Sequence, residues 1–225
     1  MHLSSELYLI EPQDIVALPG NDKFFDGRKL KDDIVVIIGN SAKGERDALL
    51  KGRDIAENAA ASGKKHVKVR FAFKSNMPLL LRPLSIVKQI RKRYYYTGSN
   101  VYHTTATAIR EMGIERAIRT IENSYEIRNP KWRIPEEERK NKYIVLSEKM
   151  RREGFSDEYP LGIMLCRSFG VVDTLHQGHH RISICLENNI NRVAVRFMAS
   201  ARAPFFIAPV MTALYSVKAL FKRHK

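Results

Sequence analysis

Apolar side chains recur along this 225-residue chain in two rhythms. LYLIEPQDIVALPG alternates and then runs into turn residues, which predicts an opening strand and a short turn. DDIVVIIGN is a β-branched run closed by Gly39 and Asn40, the signature of a buried strand. GERDALLKGRDIAENAAAS sets Leu49, Leu50, Ile55 and Ala59 near helical spacing and stops before Gly63, so a helix is expected there. KHVKVRFAF alternates again, with basic residues on one face. A helix over roughly 83–93 has Leu84, Val87 and Ile90 as its inward face, and TATAIREMGIERAIRTIENS reads as an amphipathic helix interrupted near Gly113.

NPKWRIPEEERK then breaks regular structure with two prolines, and Pro135 before Glu136, Glu137 and Glu138 is a strong helix start: proline suits the first turn, and acids favour the positive end of the helix dipole. The chain is divided there, into a basic N-terminal portion over 1–134 and a second unit over 135–225. The second unit reads as a helix through KNKYIVLSEKMRREG, a strand LGIMLCR, a turn SFG, a strand VVDT, a loop LHQG, a helix HHRISICLENN, a turn at Asn191 and a strand RVAVRFM. The tail APVMTALYSVKALFKRHK repeats Val210, Leu214, Val217 and Phe221 at helical spacing and ends in cations. IVVIIGNSAKGERDAL and VVDTLHQGHHRISI echo one another faintly, but their lengths differ and the echo reads as coincidence. The expected fold class is mixed α/β: a small mixed sheet with flanking helices.

Charge changes this picture. Lys and Arg number 39 against 24 Asp and Glu, a net charge of +15. Such a chain is drawn to polyanions, whether nucleic acid, nucleotides or an anionic membrane face. Ten of the cations fall between Lys64 and Arg93 with no acid among them, and YYYTGSNVYH follows at once. Aromatics beside cations are what a base-stacking surface uses, so Lys88, Arg91, Lys92, Arg93, Tyr94 and Tyr95 are the candidates for a nucleic-acid groove. Cys166 and Cys185 lack CxxC or zinc-finger spacing, which points to a reducing compartment. MHLSSELYLIEPQD has no secretory pattern, and APFFIAPVMTALYSV is shorter than the ~20 residues that span a bilayer, so a cytoplasmic protein is expected. The terminal helix is expected to pack on the core through its apolar face, which leaves a membrane surface out of the expected partners even with Phe205, Phe206 and Phe221 close by.

The chemistry concentrates where a strand turns into a helix. Gly178, His179, His180 and Arg181 sit at the start of that helix, where unpaired N–H groups and the helix dipole stabilise an anion. A glycine lets the backbone approach the anion, an arginine grips phosphate oxygens with two parallel bonds, and a histidine adds a donor. Together they make a phosphate cradle; a polar helix start without a ligand is the alternative. A metal site is not expected, because adjacent histidines on a helix point about 100° apart and no i, i+4 histidine pair lies within the predicted helix itself. Asp173, four residues ahead of Gln177, is the candidate for positioning an attacking oxygen or a metal ion, or else a polar residue closing the strand.

With this order of elements the stretch resembles the ParB and sulfiredoxin superfamily. The likeness covers roughly residues 139–200 and extends weakly to LYLIEPQDIVALPG. ParB-like members carry a glycine, an acidic or small polar residue and an arginine at this turn, and sulfiredoxins carry Gly, Cys, His, Arg. Here His179 stands where sulfiredoxin has its nucleophilic cysteine, so repair of sulfinic acid is not expected. About 25 residues follow the unit, too few for the DNA-reading segment of ParB itself. The resemblance implies a nucleotide or other phosphorylated ligand at Gly178–Arg181, such as ATP or CTP with Mg2+, and leaves open whether phosphoryl transfer or nucleotide hydrolysis follows. The competing class is a nucleic-acid-binding, nuclease-like protein whose groove is the basic segment 64–96.

Overall fold

In the computed structural model of this protein, residues 1–20, 33–112 and 135–223 are described. The part of the predicted amphipathic helix over 113–124, and the boundary at 134, fall outside them. Among the described residues, nine strands form two sheets. Strands β1 (His2–Ile10), β2 (Val35–Ile38), β3 (Ala48–Lys51) and β4 (Val67–Phe73) make the first, in the order β1-β4-β2-β3. The second runs β5-β9-β7-β8, with β6 also on β9; these are β5 (Tyr96–Thr97), β6 (Tyr102–Thr105), β7 (Leu161–Ser168), β8 (Val172–Gln177) and β9 (Arg192–Ala199). The helices are α1 (Pro12–Val16), α2 (Arg53–Ala61), α3 (Lys88–Lys92), α4 (Ala106–Glu111), α5 (Glu136–Glu153), α6 (His179–Glu187) and α7 (Ala208–Arg223). The class is mixed α and β, with small sheets and flanking helices, as the sequence implies. Strands from both sides of residue 134 share the second sheet.

The two sheets are wound alike. Each has a leading strand and short helix (β1-α1, β6-α4), a hairpin (β2-β3, β7-β8), a glycine, a nine-residue helix (α2, α6) and a closing strand (β4, β9). In each, the closing strand lies parallel to the first hairpin strand and antiparallel to the leading strand. Register carries the match to single residues. Tyr8 faces Val69 and Tyr102 faces Val195. Asp47, Gly52, Val69 and Phe71 recur 126 positions later as Asp173, Gly178, Val195 and Phe197. Ser5, Tyr8 and Ile15 recur 94 positions later as Ser99, Tyr102 and Ile109. The chain therefore contains an internal repeat, contrary to the expectation that its echoes are coincidence. Its carriers are the sparse sets SxxY, DxLxxG and VxVRF, too short and too widely separated to stand out from ordinary strand composition.

Exchange across the middle joins the copies. Tyr8 Oη donates to Asp173 Oδ2 at 2.8 Å, and Tyr102 Oη donates to Asp47 Oδ2 at 2.8 Å. The amides of Ser5, Glu6 and Cys166 also donate to Asp173, at 3.0, 3.3 and 2.8 Å. Those of Ser99, Asn100 and Gly39 donate to Asp47, at 3.1, 3.3 and 2.9 Å. The amide of each aspartate in turn donates to the serine hydroxyl, Ser5 for Asp173 and Ser99 for Asp47. Each copy's carboxylate thus holds the other copy's leading strand, which is the reciprocity of a two-fold axis. Phe71 and Phe197, centroids 3.8 Å apart, meet near that axis, and Tyr8 and Tyr102 pack edge-on against both. One core runs through both sheets.

Four sequence expectations change here. Leu49 and Leu50 belong to strand β3, and the helix begins only at Arg53, because Gly52 takes φ +90 and turns the chain. LHQ continues strand β8 to Gln177 rather than forming a loop. The helix over 83–93 is instead a 3-10 stretch, Leu79–Ile86, followed by α3, since Pro83 removes a helical donor; Leu84 and Val87 face solvent. The terminal helix forms, but Val210, Leu214 and Val217 are exposed instead of packed.

Candidate functional site

Strand β8 ends at Gln177, and Gly178 turns the chain into α6 with φ +89, a left-handed conformation natural only to glycine. Among the described residues, no side chain caps the helix. The cradle residues Gly178, His179, His180 and Arg181 are all partly exposed. A Cβ on Gly178 would lie 2.4 Å from Leu161 Cδ2 and 3.3 Å from Arg181 Nη2. Gly178→Ala is therefore expected to cost about 1–3 kcal/mol, mostly backbone strain with some displacement of Leu161, read as a lowered midpoint in urea unfolding.

Arg181 is half-buried. Its Nη2 donates to Pro160 O at 3.4 Å and its Cζ lies 5.8 Å from the Phe155 ring centroid, while Nη1 is buried without a hydrogen-bond partner among the described residues. Burial pushes its pKa down, and no described carboxylate pairs with it. The repeat makes this informative. Ile55 occupies the equivalent position in the first copy, one turn into α2 behind Gly52, so the turn itself does not require a guanidinium. There Arg53, in the place of His179, spends its guanidinium on the carbonyls of Val16 and Leu18, at 3.3 and 2.8 Å.

The basic segment comes to the same place. The pKa of His176, two residues before Gly178, is held down to about 4 by burial first, then by Arg167, His179, Lys92 and Lys88. Its Nδ1 and the nearby Tyr95 hydroxyl are buried without hydrogen-bond partners among the described residues; the two rings meet edge-on, 6.4 Å between centroids. Lys88, Lys92 and Arg93 are exposed, and Tyr94 and Tyr95 are half-buried. Arg91 differs from expectation: it is buried, and its guanidinium donates to the carbonyls of Ser85 and Arg167, tying α3 to β7 instead of facing a polyanion. The sequence separates the 88–95 segment from the glycine turn, whereas the structure makes them neighbours. Arg167, and the place of His176 beside the basic segment, are what sequence reasoning misses, because strand positions with alternating burial carry no signal for charge at one end.

Asp173 also departs from expectation. It is fully buried and consumed by four donors from two strands, β1 and β7, so it neither positions an attacking oxygen nor holds a metal ion. Burial raises its pKa, partly offset by those bonds. The thiols are equally withdrawn: Cys166 and Cys185 are buried, and burial pushes the Cys185 pKa up to about 12.

A second polar cluster lies where β1 turns into α1. Glu11, Asp14 and His103 bring ligand-type atoms within 4.8 Å of one another. His103 Nδ1 lies 3.2 Å from Asp14 and its Nε2 3.1 Å from Asp157, while Arg192 grips Glu11 at 2.8 and 3.2 Å. Each carboxylate already faces a cation or an imidazole, so the cluster is an ion-pair network joining β1, β6 and β9. Compared with known proteins, the chain matches no family model, no curated sequence and no solved structure.

Proposed function

We propose that this is a ParB-like protein that binds a nucleotide or another phosphorylated ligand at Gly178, His179, His180 and Arg181. One observation carries the reading: of two equivalent helix starts, one has Ile55 and the other has Arg181, half-buried, with an orphaned Nη1 and no acid beside it. A buried guanidinium without a counter-ion is unfavourable unless an anion completes it. The N-terminal end of α6 adds the positive end of its helix dipole, and Lys88, Lys92 and Arg167, gathered around His176, extend the positive wall. These donors fit phosphates, and ATP or CTP would bring Mg2+ as the ligand's own companion. With Asp173 consumed by the fold, no base for phosphoryl transfer or hydrolysis is assigned, and the function proposed is binding.

Titration of the protein with Mg·ATP and Mg·CTP by calorimetry tests this. Saturable one-to-one binding is expected. The pH dependence has a definite sign. Free His176 is neutral at pH 7 because its pKa lies near 4, and a bound phosphate would raise that pKa. Binding then takes up a proton and strengthens as the pH falls, by about tenfold between pH 7.5 and 5.5 if the bound value returns to about 6.5. His176→Gln should flatten this dependence. The competing reading places a nucleic-acid backbone phosphate in the same cradle, with Lys88, Lys92 and Arg93 along the groove. It predicts affinity for polynucleotides that falls steeply with salt, by about 0.9 log units per log unit of salt for each phosphate contacted. Steep salt dependence with no saturable nucleotide binding overturns the nucleotide reading.

A further inference from the structure

We propose that the protein docks on an anionic lipid surface through an apolar patch built from two segments distant in sequence. Leu79 and Leu80 are 72% and 91% exposed, and Phe205 and Phe206 are 89% and 63% exposed. Single exposed leucines need no explanation, but these four are not scattered. Leu79, Phe205 and Phe206 line one groove of about 1110 Å³, together with the start of α7 at Ala208 and Pro209. From that groove α7 carries Val210, Leu214 and Val217, spaced i, i+4 and i+7 on one stripe, each about half exposed. Leu84, in the 3-10 stretch, and Val87, just after it, are also exposed.

Charge selects the occupant. Arg82 and Arg202 line the same groove, and exposed Lys88 and Lys92 follow in α3 with Arg93 just after it. Acids are missing from 64–93, and none follows Glu187, so both segments that build the patch carry only positive charge. A second copy of this chain would bring the same +15 against itself. A polyanion without apolar surface would leave Leu80 and Phe205 in water. A bilayer with anionic headgroups satisfies both at once, with the aromatic and aliphatic side chains at the level of the acyl chains and the guanidinium and ammonium groups among the headgroups. No described helix is long and apolar enough to cross a membrane, so the chain would lie on the surface.

Co-sedimentation of the full chain with phosphatidylcholine vesicles, with and without roughly 40% phosphatidylglycerol, tests this. Binding is expected to the anionic vesicles alone and to weaken as salt rises. Phe205→Ser with Phe206→Ser, and separately Leu79→Ser with Leu80→Ser, should each lower partitioning about tenfold or more. All four side chains are exposed, so circular dichroism and the melting temperature should match the unmodified chain. No binding to anionic vesicles overturns the proposal, as does equal binding to neutral ones. A dimer seen by light scattering and abolished by the same substitutions also overturns it, because the patch would then be covered by a second copy.

Discussion

Asp173→Ala is expected to bring the protein to the edge of unfolding, and Asp47→Ala to do the same. The Asp173 carboxylate accepts from the Ser5, Glu6 and Cys166 amides and from the Tyr8 hydroxyl, in a site with no solvent access. Alanine would leave three N–H groups and a phenol buried without an acceptor. Each such loss costs about 1–3 kcal/mol, so the four together cost at least about 4 kcal/mol against a whole stability of about 5–15 kcal/mol. Tyr8→Phe removes a single bond to a charged acceptor and should cost about 1.5–3 kcal/mol. Because the contacts of Asp47 repeat those of Asp173 donor for donor, Tyr102→Phe should match Tyr8→Phe. Equilibrium unfolding in urea measures all four. An Asp173→Ala protein within about 1 kcal/mol of the unmodified one would mean that the two copies are not braced through these aspartates.

Arg181→Ile is expected to separate function from stability. Ile55 shows that a branched aliphatic side chain suits this position behind a left-handed glycine, and removing a half-buried guanidinium relieves a desolvation cost that no described acid offsets. The melting temperature should therefore stay level or rise. Nucleotide affinity should fall about 100-fold or more, equivalent to about 2.7 kcal/mol, because the substitution removes both the charge and the planar fork that grips phosphate. Arg181→Lys should recover only part of that loss, since an ammonium cannot make two parallel bonds. Stability spent on an unpaired cation is the mark of a site kept for something other than folding. Should Arg181→Ile melt many degrees lower, the guanidinium is structural and the cradle loses its principal support.

Much of the strand order could be read from the sequence because its residues alternate: Val67, Val69, Phe71 and Phe73 fall on the inner face of β4, and Val193, Val195 and Phe197 do so in β9. The glycine turn was legible too, because a left-handed residue between a strand and a helix calls for glycine. The repeat was not. Its conserved content is a handful of residues whose partners lie in the other copy, so Tyr8 and Asp173 look unrelated along the chain although their oxygens are 2.8 Å apart. Asp173 misled for the same reason: an aspartate near a phosphate turn reads as chemistry, and only the three-dimensional donor count reveals a brace. Apolar periodicity in α7 misled in the other direction, since spacing identifies an apolar stripe but not what covers it.

The cradle can be observed directly by amide nuclear magnetic resonance during titration with Mg·ATP. Saturable shifts are predicted at the backbone amides of residues 178–181 and at the Arg181 side-chain Nε–H, with His176 gaining a proton over the same titration. Shifts confined to residues 88–93, or none at the first turn of α6 while ATP still binds, would contradict the account.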